Sequence, residues 1–106
     1  MALIHERLVA WRRADDLFIA VHQRSKDFPA DERFALTSQM RRAAYSDPAN
    51  IVEGMARRSA ADRLRFLNIA EASLAELAYC LHAARRLGYL SAGQYDELHR
   101  AALQVG

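Results

Sequence analysis

Apolar residues recur along this chain at the three- and four-residue steps of an α-helix, in four separate stretches. The first covers residues 7 to about 27. Trp11, Ala14, Phe18, Val21, Ser25 and Phe28 fall on one stripe, Ser25 being its one polar member. Phe28-Pro29 closes it, because the residue before a proline is pushed out of helical geometry. The second begins between Asp31 and Thr37, either of which suits an N-cap, and reaches Gly54 to Arg58. Its thinner stripe holds Leu36, Met40, Ala43 or Ala44, Ile51 and Met55. Pro48 lies inside it, where a missing N–H and a clash with the Ala44 carbonyl cost about 3 kcal/mol. A continuous helix kinked at Pro48 is expected, the alternative being a break near Asp47-Pro48.

The third stretch carries the strongest pattern. Ser59 and Asp62 resemble a capping box with aspartate in place of glutamate. Leu67, Ala70, Leu74, Leu77, Leu81 and Ala84 then form a heptad-like seam, widened by Phe66, Ile69 and Tyr79. Arg85 and Arg86 suit the negative end of the helix dipole, and Gly88 supplies a C-terminal stop. The fourth starts at Ser91, which forms a capping-box pattern with Gln94, while Leu90 and Tyr95 are spaced as a hydrophobic staple. Tyr95, Leu98, Ala102 and Val105 make its stripe. Short linkers place successive helices antiparallel. The expected fold is therefore all-α: one up-down-up-down four-helix bundle over residues 1–106, with Trp11, Phe18, Leu67, Leu74 and Leu81 in its core. The apolar faces of the first and third helices exceed what one inward stripe needs, and the surplus points to a subunit interface.

Composition fits this picture. With 106 residues, 52% of them hydrophobic, the chain can build one core, and its two prolines and four glycines favour a few long helices. No apolar run reaches the roughly 18–20 residues of a membrane span, and Met1–Glu6 does not read as a secretion signal. Cys80 is the single cysteine, which suits a reduced, cytoplasmic setting. Fifteen basic against thirteen acidic residues leave a formal charge of +2, too little to argue for nucleic acid alone. Yet fourteen of the fifteen cations are arginine, the residue best shaped for bidentate pairing to carboxylate or phosphate. A GC-rich genome would give the same bias.

Catalytic patterns are sparse. Asp96 and His99 make the one carboxylate-x-x-His pair on a helix, whereas a di-iron bundle needs two. No glycine-rich phosphate loop is present, Cys80 sits among apolar neighbours as a packing residue, and Tyr45, Tyr79, Tyr89 and Tyr95 fall on different segments. A protein with no catalytic residues, no metal and no cofactor is expected.

The stretch around Pro48 adds a resemblance. Leu36-Thr37-Ser38-Gln39-Met40-Arg41-Arg42-Ala43-Ala44 is followed by Ser46, Pro48, Asn50-Ile51 and Glu53-Gly54. Then come Arg65-Phe66-Leu67-Asn68-Ile69-Ala70 and Ser73-Leu74-Ala75-Glu76-Leu77. With Leu8-Val9-Ala10-Trp11 upstream and Leu87-Gly88-Tyr89-Leu90-Ser91 downstream, the order and spacing resemble the four-helix-bundle family of the 23S rRNA intervening-sequence proteins. Asp47 stands where that pattern usually has an aliphatic residue, and Met55-Ala56 where it usually has a pair containing an aromatic. The resemblance implies an up-down-up-down bundle assembled as a homopentamer. It also implies an association with insertions in 23S rRNA genes, and a kinship with an accessory protein of retroelements whose basic pentamer engages a reverse transcriptase and nucleic acid.

Two groups of residues become candidates. Arg41, Arg42, Arg57 and Arg58, with Arg63 and Arg65 beside them, are the expected contact surface for RNA, DNA or a nucleic-acid-processing protein, multiplied by symmetry in a ring. The competing reading pairs these arginines with Asp47, Glu53, Asp62 or Glu76. Ser46, Asn50 and Glu53 share one helix face at spacings of four and three. They are expected to form a polar helix-packing network that offsets the bonds freed by Pro48, with Gly54 ending or tightening the helix. The function expected is a non-catalytic oligomeric scaffold, the alternative being a protein-binding module without nucleic-acid affinity.

Overall fold

The computed structural model describes residues 3–106, with side chains from Arg7 onward; Met1–Glu6, read above for a secretion signal, lies outside those side chains. Four helices follow in order: α1 Leu3–Arg24, α2 Leu36–Ala56, α3 Ala60–Arg86 and α4 Ala92–Val105. Among the described residues there is no strand, and no helix is long and apolar enough to cross a membrane. α2 packs against α1 and α3, and α4 closes the bundle against both. The pairings run antiparallel: Arg13 and Arg24 on α1 meet Gln104 and Glu97 on α4, while Ser46 on α2 meets Ser73 on α3. The longest dimension, 43 Å, is close to the roughly 40 Å rise of the 27-residue α3.

Local chemistry explains most helix ends. α1 passes into one turn of 3-10 helix, Ser25–Asp27, and stops at Phe28, whose ψ of 152° is the extended geometry a following proline demands. Ser59 accepts from the Asp62 amide at the start of α3, and Ser91 and Gln94 close a reciprocal capping box at the start of α4. α3 ends in a Schellman motif: the Gly88 amide donates to the Arg85 carbonyl and the Tyr89 amide to the Ala84 carbonyl. Gly88 has φ +82°, and a Cβ there would meet nothing within 4 Å. Its replacement by alanine should therefore cost only the left-handed backbone penalty, about 1–2 kcal/mol, readable by denaturant unfolding.

The start of α2 differs from expectation. Its N-cap is Ala35, with no side-chain cap. Asp31 sits in a 3-10 turn, Ala30–Glu32, and Thr37 lies inside the helix with its buried Oγ1 unpartnered. The 3-10 turn delivers the chain directly into the helix, the Ala35 amide donating to the Glu32 carbonyl, so no capping side chain is needed. Further on, α2 runs unbroken through Pro48 and ends at Ala56, two residues beyond Gly54. Gly54 is buried against the start of α3, where a Cβ would lie 3.4 Å from the Phe66 Cβ and 3.5 Å from the Arg63 carbonyl.

The core has two parts. A large cluster joins Leu17, Val21, Met40, Leu77, Leu81, Leu90 and Leu98 across all four helices. Phe28 and Tyr89 close one end of it, and the Tyr89 hydroxyl donates to Glu32 Oε2 at 2.7 Å. That bond to a carboxylate, with burial, holds the Tyr89 phenol above its ordinary pKa. Towards the α2–α3 turn a thinner cluster contains Ala14, Ile51 and Ala70, with Trp11, Leu67 and Val105 packed on it. Of the expected core residues Leu81 is buried, whereas Trp11, Phe18, Leu67 and Leu74 are only partly so. On α1 the deepest positions are Ala14, Leu17 and Val21, so the helix is turned to put Leu17, rather than Phe18, inward.

Candidate functional site

Arg41 lies near the start of α2 and Arg57 just past its end, sixteen positions on and about 24 Å along the helix, so the candidate arginines form two groups rather than one band. At the first group, Arg41 is tied to the end of α1. Its Nε donates to Ser25 Oγ at 2.8 Å and its Nη2 approaches the His22 carbonyl at 3.4 Å. Arg42 is exposed and borders an open depression of about 770 Å³ with Phe18, Tyr45, Ser73 and Glu76. Arg41 therefore holds helices together, and Arg42 offers its charge to solvent.

The second group surrounds the α2–α3 turn. Arg63 donates to the Arg57 and Arg58 carbonyls at 2.8 and 2.9 Å, satisfying acceptors that the end of α2 leaves free. The Arg57 and Arg65 guanidinium carbons lie 4.7 and 4.9 Å from the Phe66 ring centre, a cation–π geometry. Arg57 also pairs with Glu53 at 2.9 Å, an exposed i,i+4 contact contributing less than about 1 kcal/mol. That pair and Arg24–Glu97 are the two ion pairs among the described residues. Arg42, Arg58 and Arg65 form none there, and neither do Asp47, Asp62 or Glu76.

Ser46 and Asn50 do meet. Asn50 Nδ2 donates to the Ser46 carbonyl at 2.7 Å and to Ser46 Oγ at 2.9 Å. Their third partner is Ser73 on α3, whose Oγ lies 2.7 Å from Ser46 Oγ and 2.9 Å from the Ile69 carbonyl. Both hydroxyls are satisfied if Ser73 donates to Ile69 and Ser46 donates to Ser73. Glu53 lies apart from this network, exposed and paired with Arg57. Ser73 sits 27 positions from Ser46, beyond the reach of any helical spacing rule.

The residue that breaks the usual rules is Asp47. It is 3% exposed, its Oδ2 has no hydrogen-bond partner, and burial pushes its carboxyl up to about 6. Cys80 is also buried, and desolvation with the nearby Glu76 charge raises its thiol, the opposite of what activates a cysteine nucleophile. Among the described residues no three His, Cys, Asp or Glu side chains gather as a metal would require.

No curated protein matches the chain. Among solved structures, a crystal structure from Bacteroides thetaiotaomicron, of a protein with unknown function from the S23 ribosomal protein family, superposes with a TM-score of 0.87. It is 24% identical, over 94% of this chain and 90% of the other, and so speaks for the fold. The profile of the 23S rRNA-intervening sequence proteins matches residues 6–106, taking in all four helices and the Arg41–Gly54 stretch, and the chain belongs to the 23S rRNA-intervening sequence protein family.

Proposed function

We propose that this protein is a non-catalytic, cytoplasmic scaffold that self-associates as a homopentamer and engages the phosphate backbone of nucleic acid, or an enzyme acting on it, through arginines at both ends of α2. The observation that carries the reading is the exposure of Arg42, Arg58 and Arg65 without ion-pair partners among the described residues. Arg41 and Arg63 are spent on the bundle itself, so the contact surface narrows to these three and Arg57. Self-association is supported by the large apolar side chains left outside, among them Phe34, Leu64, Tyr79 and Leu103. A ring would repeat each arginine group and convert weak single contacts into avidity.

The decisive measurement is RNA binding across a salt series, on protein of known solution mass. Affinity should fall as salt rises, and Arg42→Glu/Arg58→Glu should weaken binding and flatten the salt slope. Losing two phosphate contacts to a single strand lowers the slope by about 1.4. Absence of binding at low salt would remove the nucleic-acid reading and leave the second one, a protein-binding module, which the same exposed apolar residues favour. A monomeric mass would remove the scaffold.

A further inference from the structure

A carboxylate buried without a partner is costly, and proteins normally pair it, hydrogen-bond it or neutralise it. Asp47 has none of these from the protein, and it lines a pocket of about 180 Å³ that residues of all four helices border and that is partly open to solvent. The walls are mainly aliphatic: Ile51 on α2, Leu67 and Leu74 on α3, and Val105 on α4. The charged groups around Asp47 are Arg7 from α1 and Glu71 from α3, while α4 contributes only Val105 and Gly106. Arg7 makes no ion pair with Asp47. The site thus combines an aliphatic wall, one orphaned acceptor at depth and a second carboxylate on the lining.

We propose that this cavity binds a small organic cation, a primary ammonium on a short aliphatic stem, with the ammonium on Asp47 and the stem against Ile51, Leu67 and Leu74. Three donors on an ammonium suit an acceptor lacking a hydrogen bond, and a charged partner makes that bond a strong one. The volume lies below the roughly 300–1,000 Å³ that drug-sized ligands occupy, which suits a stem of a few carbons. Ala10 and Ala70 stand on its walls, where longer side chains would fill the space between the helices. The proposal is independent of the arginine surface, which carries the opposite charge on the outside of the bundle.

The test is a titration of the full chain with n-butylammonium, followed through the methyl resonances of Ile51, Leu67 and Leu74, with n-butanol and potassium chloride as controls. Saturable shifts are expected with butylammonium and at least about tenfold weaker binding with butanol, the difference between a charge-assisted and a neutral contact. Binding should weaken severalfold from pH 7.5 to pH 5 as Asp47 becomes protonated. Asp47→Val, which removes the charge without opening the core, should abolish it, and Arg7→Ala, which removes the competing cation, should tighten it. Unchanged affinity in Asp47→Val, an equal response to potassium, or no saturable shift in the folded wild-type protein would each overturn the site.

Discussion

Asp47→Val should make this protein more stable at neutral pH, by up to about 3 kcal/mol, without altering its fold. Valine branches one atom nearer the backbone than aspartate and is one heavy atom smaller, so the 3%-exposed site takes it without overfilling, and the main change is loss of the desolvated charge. Burial raises the folded-state carboxyl from 3.8 to about 6, so the native state holds its proton more tightly than the unfolded chain does. Below pH 3.8 both states are protonated and Asp47 carries no penalty. As pH climbs to 6 the unfolded chain ionises first, and stability is lost at about 1.4 kcal/mol per pH unit, after which the penalty is constant. The other carboxylates act on both proteins alike, so the measurement is the difference between variant and wild-type denaturation curves from pH 4 to pH 8. That difference should widen between pH 4 and 6 and then level off. A gap that stays flat with pH would show that Asp47 is not desolvated as the structure has it.

Leu77→Ala should be the most damaging single truncation, costing about 3–5 kcal/mol. Leu77 is 0% exposed and belongs to the cluster that joins all four helices. Alanine there loses the transfer energy of the side chain and leaves a cavity that rigid helices cannot collapse around. A domain of this size has only about 5–15 kcal/mol in total, so a large share of its stability would go. Leu67→Ala should cost clearly less, because Leu67 is partly buried on the thinner cluster. Denaturant unfolding at one fixed protein concentration compares the two, since self-association would make stability concentration-dependent. Equal losses at Leu67 and Leu77 would contradict a core divided in this way.

The two positions differ in how far the helical pattern reveals them. Leu77 is already a member of the seam on α3, and its burial follows from helical periodicity. Asp47 is visible in the sequence only as a departure from the family pattern, an acidic residue where an aliphatic one is usual. Its depth is not visible, because one polar residue beside a proline reads equally well as a solvent-facing kink. The arginines illustrate the same boundary. Arg41 and Arg42 are neighbours in sequence, yet one is hydrogen-bonded to α1 and the other faces water. Successive residues on a helix point about 100° apart, so a pair rarely shares an environment.

What the sequence determines by itself is what short-range physics controls. The helical periods, the Ser59 and Ser91 caps, the Gly88 stop and the Phe28-Pro29 break all depend on groups within about six residues of one another, and all are found in place. The tertiary structure alone decides how far each helix is rotated about its own axis. That rotation sends Leu17 rather than Phe18 inward, joins Ser46 to Ser73, turns Glu53 out to Arg57 and buries Asp47 against a cavity. A stripe on one helix spans a range of angles, and only the neighbours packed against it choose which of them becomes the interior.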